Sequence, residues 1–346
     1  MPGLISYSAI AAKIRAMDAK LLSDDDFRQL LSSPDVPSFA ALLRQKPSYA
    51  PVFGDLNLTD LHRGEIEPLL RGSILHDYTK LYRFADARQK QFLRLYFIRY
   101  EVYLLKMCLT SLFDQRDSAA RVSAFSGYFQ KYSRLPVAEL AKAEDLNAFL
   151  KSLEGTGYDL ALAPLSKKAD AGLFDYQFAL DQYGFVSMWK KHSELSSLLE
   201  RRQLTRILGS KFDMLNMIWI YRAKAYFRMS PADIYALVLP IYTNISKEDI
   251  RSMVECDTID DLEKLFAKSW YAKHFQAFSV QKMEADYTRI LKSLLQKESR
   301  QSPYSAVIMY QYLYRKEHEV DRLIIAMECV RYQISYSEAA EYLSVR

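Results

Sequence analysis

Apolar residues recur every three or four positions along most of this chain, the spacing that places them on one face of an α-helix. Near the N-terminus the stripe comprises Tyr7, Ile10, Ile14, Met17 and Leu21. A second stripe, in 92–113, comprises Leu93, Phe97, Tyr100, Leu104 and Met107. Segment 211–227 is apolar nearly all round, which favours a helix covered by its neighbours. Segment 306–330 is a fourth long helical pattern.

Polar residues mark the ends of these patterns. Ser23 stands before Asp24, Asp25 and Asp26, which is typical of an N-cap followed by acids at the positive end of a helix dipole. A metal site built from the three acids is the alternative, but adjacent helical residues point about 100° apart. Ser335 and Glu338 have capping spacing and predict a last short helix.

Strand signals are missing from the sequence. No segment shows convincing alternation of apolar and polar residues, and only 10 Gly and 11 Pro interrupt 346 residues. The sequence therefore predicts an all-α fold of long helices.

Three markers recur in the same order along the chain. Tyr49, Tyr158 and Tyr271 each close an amphipathic segment, at intervals of 109 and 113 residues. An Asp-Tyr pair follows each of them, starting at Asp77, Asp175 and Asp286, and we interpret it as a packed Tyr beside an exposed Asp. A long helix follows each pair and carries Glu101, Asp213 and Glu319. The order predicts three diverged copies of one helical-bundle unit, at 1–95, 96–205 and 206–346.

The tail of the chain predicts how the copies are arranged. The helices at 5–22 and after Glu319 both look like the opening of a copy, so the tail is the start of a fourth copy with an apolar face left to bury. Packing that face against the first copy would close the three bundles into a ring or funnel with pseudo-threefold symmetry. Residue 346 lying far from residue 20 would argue against closure.

Composition narrows the class of protein. The 47 basic and 42 acidic residues give a formal charge of +5, spread through the chain, which does not indicate nucleic acid. The 25 Tyr suit half-buried surfaces between helices or at interfaces. Three separate cysteines predict a reduced, intracellular protein, with Cys108 and Cys329 in the core. No secretory signal or membrane-spanning run is recognisable.

Motifs for catalysis are not found in the sequence. Phosphate-binding and nucleophile-elbow motifs do not occur, and "GTGYDL" (155–160) is interpreted as a loop or helix C-cap rather than a dinucleotide site. The five histidines are scattered. The charge run "RKEHEVDR" (315–322) is interpreted as a solvated helix face with i,i+4 pairs around Lys316, rather than as a site for a catalytic His318. We predict no catalytic, cofactor or metal residue.

Three segments resemble one known family, the C subunits of the bacterial and archaeal rotary V-type (A-type) ATPases, which are similar to the d subunit of the eukaryotic vacuolar enzyme. They are "YSAIAAKIRAMDAKLLSDDDFRQLL", "DMLNMIWIYRAKAYFRMSP" and "YLYRKEHEVDRLIIAMECVRYQIS". The second contains Asp213, Asn216 and Arg222, and the third contains Glu319. Asn216 has no counterpart in the other copies, where Leu104 and Arg322 stand.

The resemblance implies a non-catalytic component of the central stalk. Members of the family are funnels of three helical domains on the cytoplasmic face of the membrane rotor ring of proteolipids. They receive the D and F shaft subunits and pass torque between shaft and ring, for H⁺ or Na⁺ transport, without a cofactor or a small-molecule substrate. Arg222 and Arg322 are our candidates for contact with the shaft or ring, and pairing within the bundle is the alternative for each.

Two further functional classes stay open from the residues themselves. One is an all-helical repeat scaffold or adaptor unrelated to rotary ATPases. The other is a helical enzyme with dispersed acidic residues, which nucleotide turnover by the isolated chain would reveal.

Overall fold

The computed structural model describes residues 2–59, 61, 63–116, 119–168, 170–274 and 279–344. Regular structure in these ranges is helical, with no β-strand, so the predicted all-α class is confirmed. The first helices are α1 (Pro2–Asp18), α2 (Asp24–Leu31), α3 (Val36–Arg44), α4 (Ala50–Phe53) and α5 (Arg63–Phe84). The next are α6 (Ala87–Phe113), α7 (Ala119–Tyr132), α8 (Val137–Lys142), α9 (Leu146–Ser152), α10 (Tyr158–Leu162) and α11 (Leu173–His192). They are followed by α12 (Leu198–Ala225), α13 (Pro231–Leu237), α14 (Lys247–Glu255), α15 (Ile259–Lys268), α16 (Val280–Gln301), α17 (Val307–Arg331) and α18 (Tyr336–Ser344).

Polar caps start many of these helices where the sequence predicts a start. Ser23 accepts a hydrogen bond from the Asp26 N–H, and the Asp26 carboxylate accepts one from the Ser23 N–H, which is a reciprocal capping box. Ser335 likewise accepts from the Glu338 N–H at the start of α18. The capping predictions at 23 and 335 are therefore confirmed.

The three longest helices of the described chain, α6, α12 and α17, end in the same unusual way. The non-glycine residues with positive φ in the described ranges are Gln115, Arg228 and Gln333, which follow the ends of these helices. Each sits in a tight turn closed by a backbone hydrogen bond of 2.8–3.0 Å that runs back across five or six residues. The left-handed conformation is strained for residues with a side chain, and glycine usually occupies it.

One compact unit combines residues up to 188 with 308–344, so it contains both α1–α10 and nearly all of α17. Its core is rich in aromatic rings. Tyr78 packs against Phe97 and Tyr132 with ring centroids 5.0 and 5.2 Å apart, and Tyr96 packs against Tyr310 at 5.2 Å. Cys108 and Cys329 are buried here as free thiols, as predicted, and burial raises the pKa of Cys108 to about 12.

The second compact unit comprises residues 189–307. Its core lies along α12 and includes Met214, Met217, Ile218, Phe266 and Tyr271. Gly209 of α12 lets the Thr243 side chain approach closely, because a Cβ there would lie 2.3 Å from Thr243 Oγ1 and 2.8 Å from Thr243 Cβ. This approach brings the segment before α14 within hydrogen-bonding distance of the α12 side chains.

None of the helices in the described ranges has the length and hydropathy needed to cross a bilayer.

Candidate interaction site

Most of the charge run on α17 is buried or half-buried within the first unit. Lys316 is fully buried and Glu319 is only 6% exposed, with the lysine Nζ 2.9 Å from Glu319 Oε1. Lys316 also lies 3.9 Å above the centroid of the Tyr49 ring, a cation–π geometry. The prediction that this run forms a solvated face is therefore wrong, because α17 is covered on more than one side.

Glu319 ties α17 to the first short helices of the chain. The Tyr49 hydroxyl donates to Glu319 Oε1 at 2.7 Å, and the Leu22 N–H donates to Oε2 at 2.5 Å. Leu22 stands just before the N-cap of α2, and Tyr49 just before α4. Burial, reinforced by the Glu319 carboxylate, holds the pKa of Tyr49 far above its usual range, so the hydroxyl keeps its proton and donates.

Glu101 of α6 holds a second pair of donors in the same unit. The Ser133 hydroxyl donates to Oε1 at 2.5 Å and the Tyr158 hydroxyl to Oε2 at 2.8 Å. Ser133 lies shortly before α8, and Tyr158 opens α10. Gly157, at φ +89°, sets the turn before Tyr158, and a Cβ there would lie 2.3 Å from the Tyr183 hydroxyl. Burial and the Glu101 charge raise the pKa of Tyr158.

Asp213 of α12 holds the third set, in the second unit. The N–H groups of Thr243 and Asn244 donate to its two oxygens at 3.1 and 2.7 Å, and the Tyr271 hydroxyl donates to Oδ2 at 3.0 Å. Burial raises the pKa of Asp213, although these hydrogen bonds oppose the shift. The neighbouring Asn216 exchanges two hydrogen bonds with the backbone of Leu239, at 2.8 and 3.0 Å.

The three carboxylates make the same set of hydrogen bonds, which we call a carboxylate tie. Each accepts from a group just before one short helix (α2, α8 or α14) and from a tyrosine after the next (α3, α9 or α15). Each long helix therefore pins both ends of a helical hairpin. Charge-assisted hydrogen bonds of this kind contribute about 1.5–3 kcal/mol each to stability, which fits a structural role for the three acids.

The Asp-Tyr pairs do not share one structural role. Asp77 lies in the middle of α5, is buried, and accepts from the Tyr312 hydroxyl of α17 at 2.5 Å. Asp175 lies in the first turn of α11 and accepts from the Gly172 N–H at 2.9 Å. Asp286 is buried in α16 beside Arg289. The prediction of an exposed Asp is wrong at Asp77 and Asp286, because ion pairs and hydrogen bonds compensate their burial.

A cavity of about 270 Å³ lies between α5, α6, α7, α11 and α17 within the first unit. Apolar residues form much of its wall, and three ion pairs with N–O distances of 2.6 Å stand along it. The pairs are Arg71–Asp321, Arg99–Glu317 and Lys106–Asp181. Glu317 also accepts from the hydroxyls of Tyr96 and Tyr100 at 3.1 and 3.0 Å. Because the charges balance, the cavity does not select strongly for an anion or a cation.

The two predicted contact residues lie in separate units. Arg222 of α12 pairs with Glu284 of α16, and its side chain is 41% exposed. Arg322 of α17 lies 4.1 Å from the centroid of the Phe27 ring and 3.3 Å from Asp24, with its side chain 26% exposed. Both arginines thus pair within their own unit, and their contact with a shaft or ring stays a prediction.

Sequence reasoning missed two residues of α17: Glu317, which pairs with Arg99, and Tyr312, whose hydroxyl donates to Asp77. For Tyr312 the signal was present, because Tyr312, Lys316, Glu319 and Leu323 follow the three-to-four spacing of one helix face. In the described ranges no group of three or more His, Cys, Asp or Glu side chains is placed to hold a metal ion.

Comparison with known proteins places this chain among the components of rotary ATPases. The sequence model of the family described as "ATP synthase (C/AC39) subunit" matches residues 10–342. The C subunit of the A-type ATP synthase of Thermococcus kodakarensis is 22% identical, over 92% of this chain and 84% of its own length. The corresponding C subunits of Methanosarcina acetivorans and Archaeoglobus fulgidus are 22% and 20% identical, covering 88% and 90% of their lengths. Because the match covers nearly all of the 346 residues, the chain belongs to the ATP synthase (C/AC39) subunit family.

Proposed function

We propose that this chain is a non-catalytic central-stalk component of a rotary V-type (A-type) ATPase. It couples the rotating shaft, formed by the D and F subunits, to the proteolipid rotor ring, and so links ATP hydrolysis or synthesis to the transport of H⁺ or Na⁺. The observation that carries this proposal is the family match over residues 10–342. The names of the relatives, all C subunits of A-type ATP synthases, support the same assembly.

The proposed architecture is three similar helical bundles in a closed ring or funnel, with copies at 1–95, 96–205 and 206–346. The repeated ties at Glu101, Asp213 and Glu319 support three copies. The tie between Glu319 and Tyr49 supports closure, because it spans 270 residues and joins the last long helix to the first hairpin. In this arrangement α17 supplies to the first copy the long helix that α6 and α12 supply to the other two.

A torque adaptor needs stiffness, and the carboxylate ties provide a physical basis for it. Each tie replaces loose helix–helix contact by charge-assisted hydrogen bonds in a buried setting, where an unmade bond is costly. The carboxylates of Glu101, Asp213 and Glu319 all accept hydrogen bonds from donors within the fold, which supports a structural rather than a catalytic role for these three acids. We place the protein peripherally, on the cytoplasmic face of the cell membrane.

Affinity purification from native membranes tests this function. An affinity tag on this chain is expected to recover the D and F shaft subunits and the proteolipid, together with the nucleotide-binding head subunits. Recovery of a partner set without shaft and ring proteins would refute the proposal. Arg222→Glu and Arg322→Glu test the two proposed contact residues, with Arg251→Glu, an exposed arginine of α14, as the matched control.

A further inference from the structure

An exposed pair of leucines stands at the junction of α11 and α12. Leu198 and Leu199 are the first two residues of α12 and are 65% and 53% exposed. Polar or acidic residues are favoured in the first turn of a helix, so local structure does not account for two adjacent apolar side chains in solvent there. Single exposed apolar residues are common on proteins, whereas a neighbouring pair with a charged surround needs an explanation.

The surround of this pair is basic. Lys190 and Lys191 lie in the last turn of α11, Arg202 follows in the second turn of α12, and all three residues are exposed. Glu194 is the exposed acid between them. The start of α12 adds the partial positive charge of a helix N-terminus. The leucines therefore project from a surface with a net positive charge.

The junction is rigid enough to present this surface. Leu195 is 3% exposed and anchors the connection. His192 is buried, with Nε2 2.9 Å from Thr205 Oγ1 and its ring 4.5 Å from that of Trp189. Ser197 caps α12 through the Glu200 N–H at 3.4 Å. The apolar pair thus sits on a fixed corner of the unit that contains residues 189–307 rather than on a free loop.

We propose that this corner, formed by 190–202, docks on the surface of an anionic lipid bilayer. Leucines insert between headgroups, while long basic side chains bury their methylene stems and keep their charge at the phosphates. The composition favours lipid over a protein partner, because lysine is depleted at the centre of protein interfaces and leucine is under-represented among their hot spots. Each basic residue near an anionic membrane strengthens binding about fivefold.

Vesicle co-sedimentation of the full chain tests this inference without any shaft or ring protein, so its outcome is independent of the proposed stalk function. We expect binding to phosphatidylcholine vesicles that contain phosphatidylglycerol, weak binding to pure phosphatidylcholine, and release by high salt. Leu198→Ser combined with Leu199→Ser should weaken binding about tenfold. Lys190→Glu combined with Lys191→Glu should weaken it by at least about 25-fold, since two attractions are lost.

Matched controls distinguish binding by this corner from binding that any exposed leucine or the net charge of the chain would cause. Leu160→Ser changes a leucine that is 76% exposed in α10, and Lys151→Glu with Lys247→Glu reverses two exposed charges elsewhere. The leucine control should bind as the unmodified chain does, and the charge control should bind better than the Lys190/Lys191 variant. Equal binding to both kinds of vesicle, or undiminished binding by the two corner variants, would overturn the proposal. Binding to neither vesicle would also overturn it.

Discussion

Replacing Glu319 by Gln tests the α17 tie at its centre. The change removes the negative charge beside Lys316, whose side chain is fully buried 2.9 Å from Glu319 Oε1. Leaving a buried charge without its partner costs about 3–5 kcal/mol of stability. The Tyr49 ring, 3.9 Å from the ammonium, offsets up to about 2 kcal/mol of this cost. We therefore expect the free energy of unfolding to fall by about 3 kcal/mol, the lower end of the range for an unpaired buried charge.

Glu101→Gln is the matched control for this substitution. Glu101 also accepts from a tyrosine hydroxyl and from a donor before a short helix, but those donors are neutral hydroxyls. Its replacement loses only the charge assistance of two hydrogen bonds, about 1 kcal/mol. The double variant Lys316→Met with Glu319→Gln should be more stable than the sum of the two single effects predicts, because it removes the stranded charge.

Amide hydrogen exchange is the suitable assay, because it reports the stability of each region of the structure separately. The Leu22 N–H donates to Glu319, so it reports the tie itself. A loss of about 3 kcal/mol corresponds to exchange at Leu22 about a hundredfold faster. Exchange in Glu319→Gln no faster than in Glu101→Gln, or strictly additive effects in the double variant, would refute the reasoning.

Four further predictions concern backbone fit and the pH dependence of stability. Gly209→Ala should destabilise the second unit by about 2 kcal/mol in urea unfolding, because the new Cβ clashes with Oγ1, Cβ and Cγ2 of Thr243. Gly72→Ala, whose new Cβ has open space, should stabilise α5 by about 0.5–1 kcal/mol. Gln333→Gly should raise thermal stability by about 1 kcal/mol by relieving the left-handed φ of 53°. Burial lowers the pKa of His192 from 6.5. The stability that His192 contributes is therefore present above pH 6.5 and is lost as the pH falls through its folded pKa. His192→Gln should reduce the change in unfolding free energy, measured in urea, between pH 7 and pH 5.

A control variant tests the explanation offered for Gln333→Gly. Gln45→Gly, at the C-cap of α3 with φ −72°, should not stabilise the protein, because that residue is in the right-handed region. Stabilisation by Gly209→Ala, equal effects of glycine at 333 and at 45, or an unchanged pH profile in His192→Gln would each contradict the corresponding explanation.

The sequence predicted the elements whose cause is local. Helix starts such as that at Ser23 depend on residues within one turn, so capping spacing identified them. The positions of Tyr49, Tyr158, Tyr271 and the three acids could also be recognised from the sequence as repeated markers. Which tyrosine bonds to which acid could not be predicted, because a hydrogen bond that spans 270 residues, such as that from Tyr49 to Glu319, leaves no local signature.

The errors came from judging burial by charge. Lys316 and Asp77 carry charges and were expected in solvent, yet each is buried against a partner of opposite charge or a hydroxyl. Three-residue spacing on α17 matches an exposed i,i+3 pair as well as a buried one, so only the number of helices packed around α17 decides between them. The cavity and the leucine corner depend on packing between helices in the same way.

The most direct test of the proposed role is whether one copy of this chain joins shaft and ring. The purified chain, the D–F shaft and the proteolipid ring in detergent would be mixed and analysed by size-exclusion chromatography with light scattering. We predict a ternary complex that contains one copy of this chain and one D–F shaft per ring. Its mass would exceed that of a complex of the chain with the shaft alone or with the ring alone. Failure to bind either partner, or binding to shaft and ring only in competition, would contradict the role of a central-stalk adaptor.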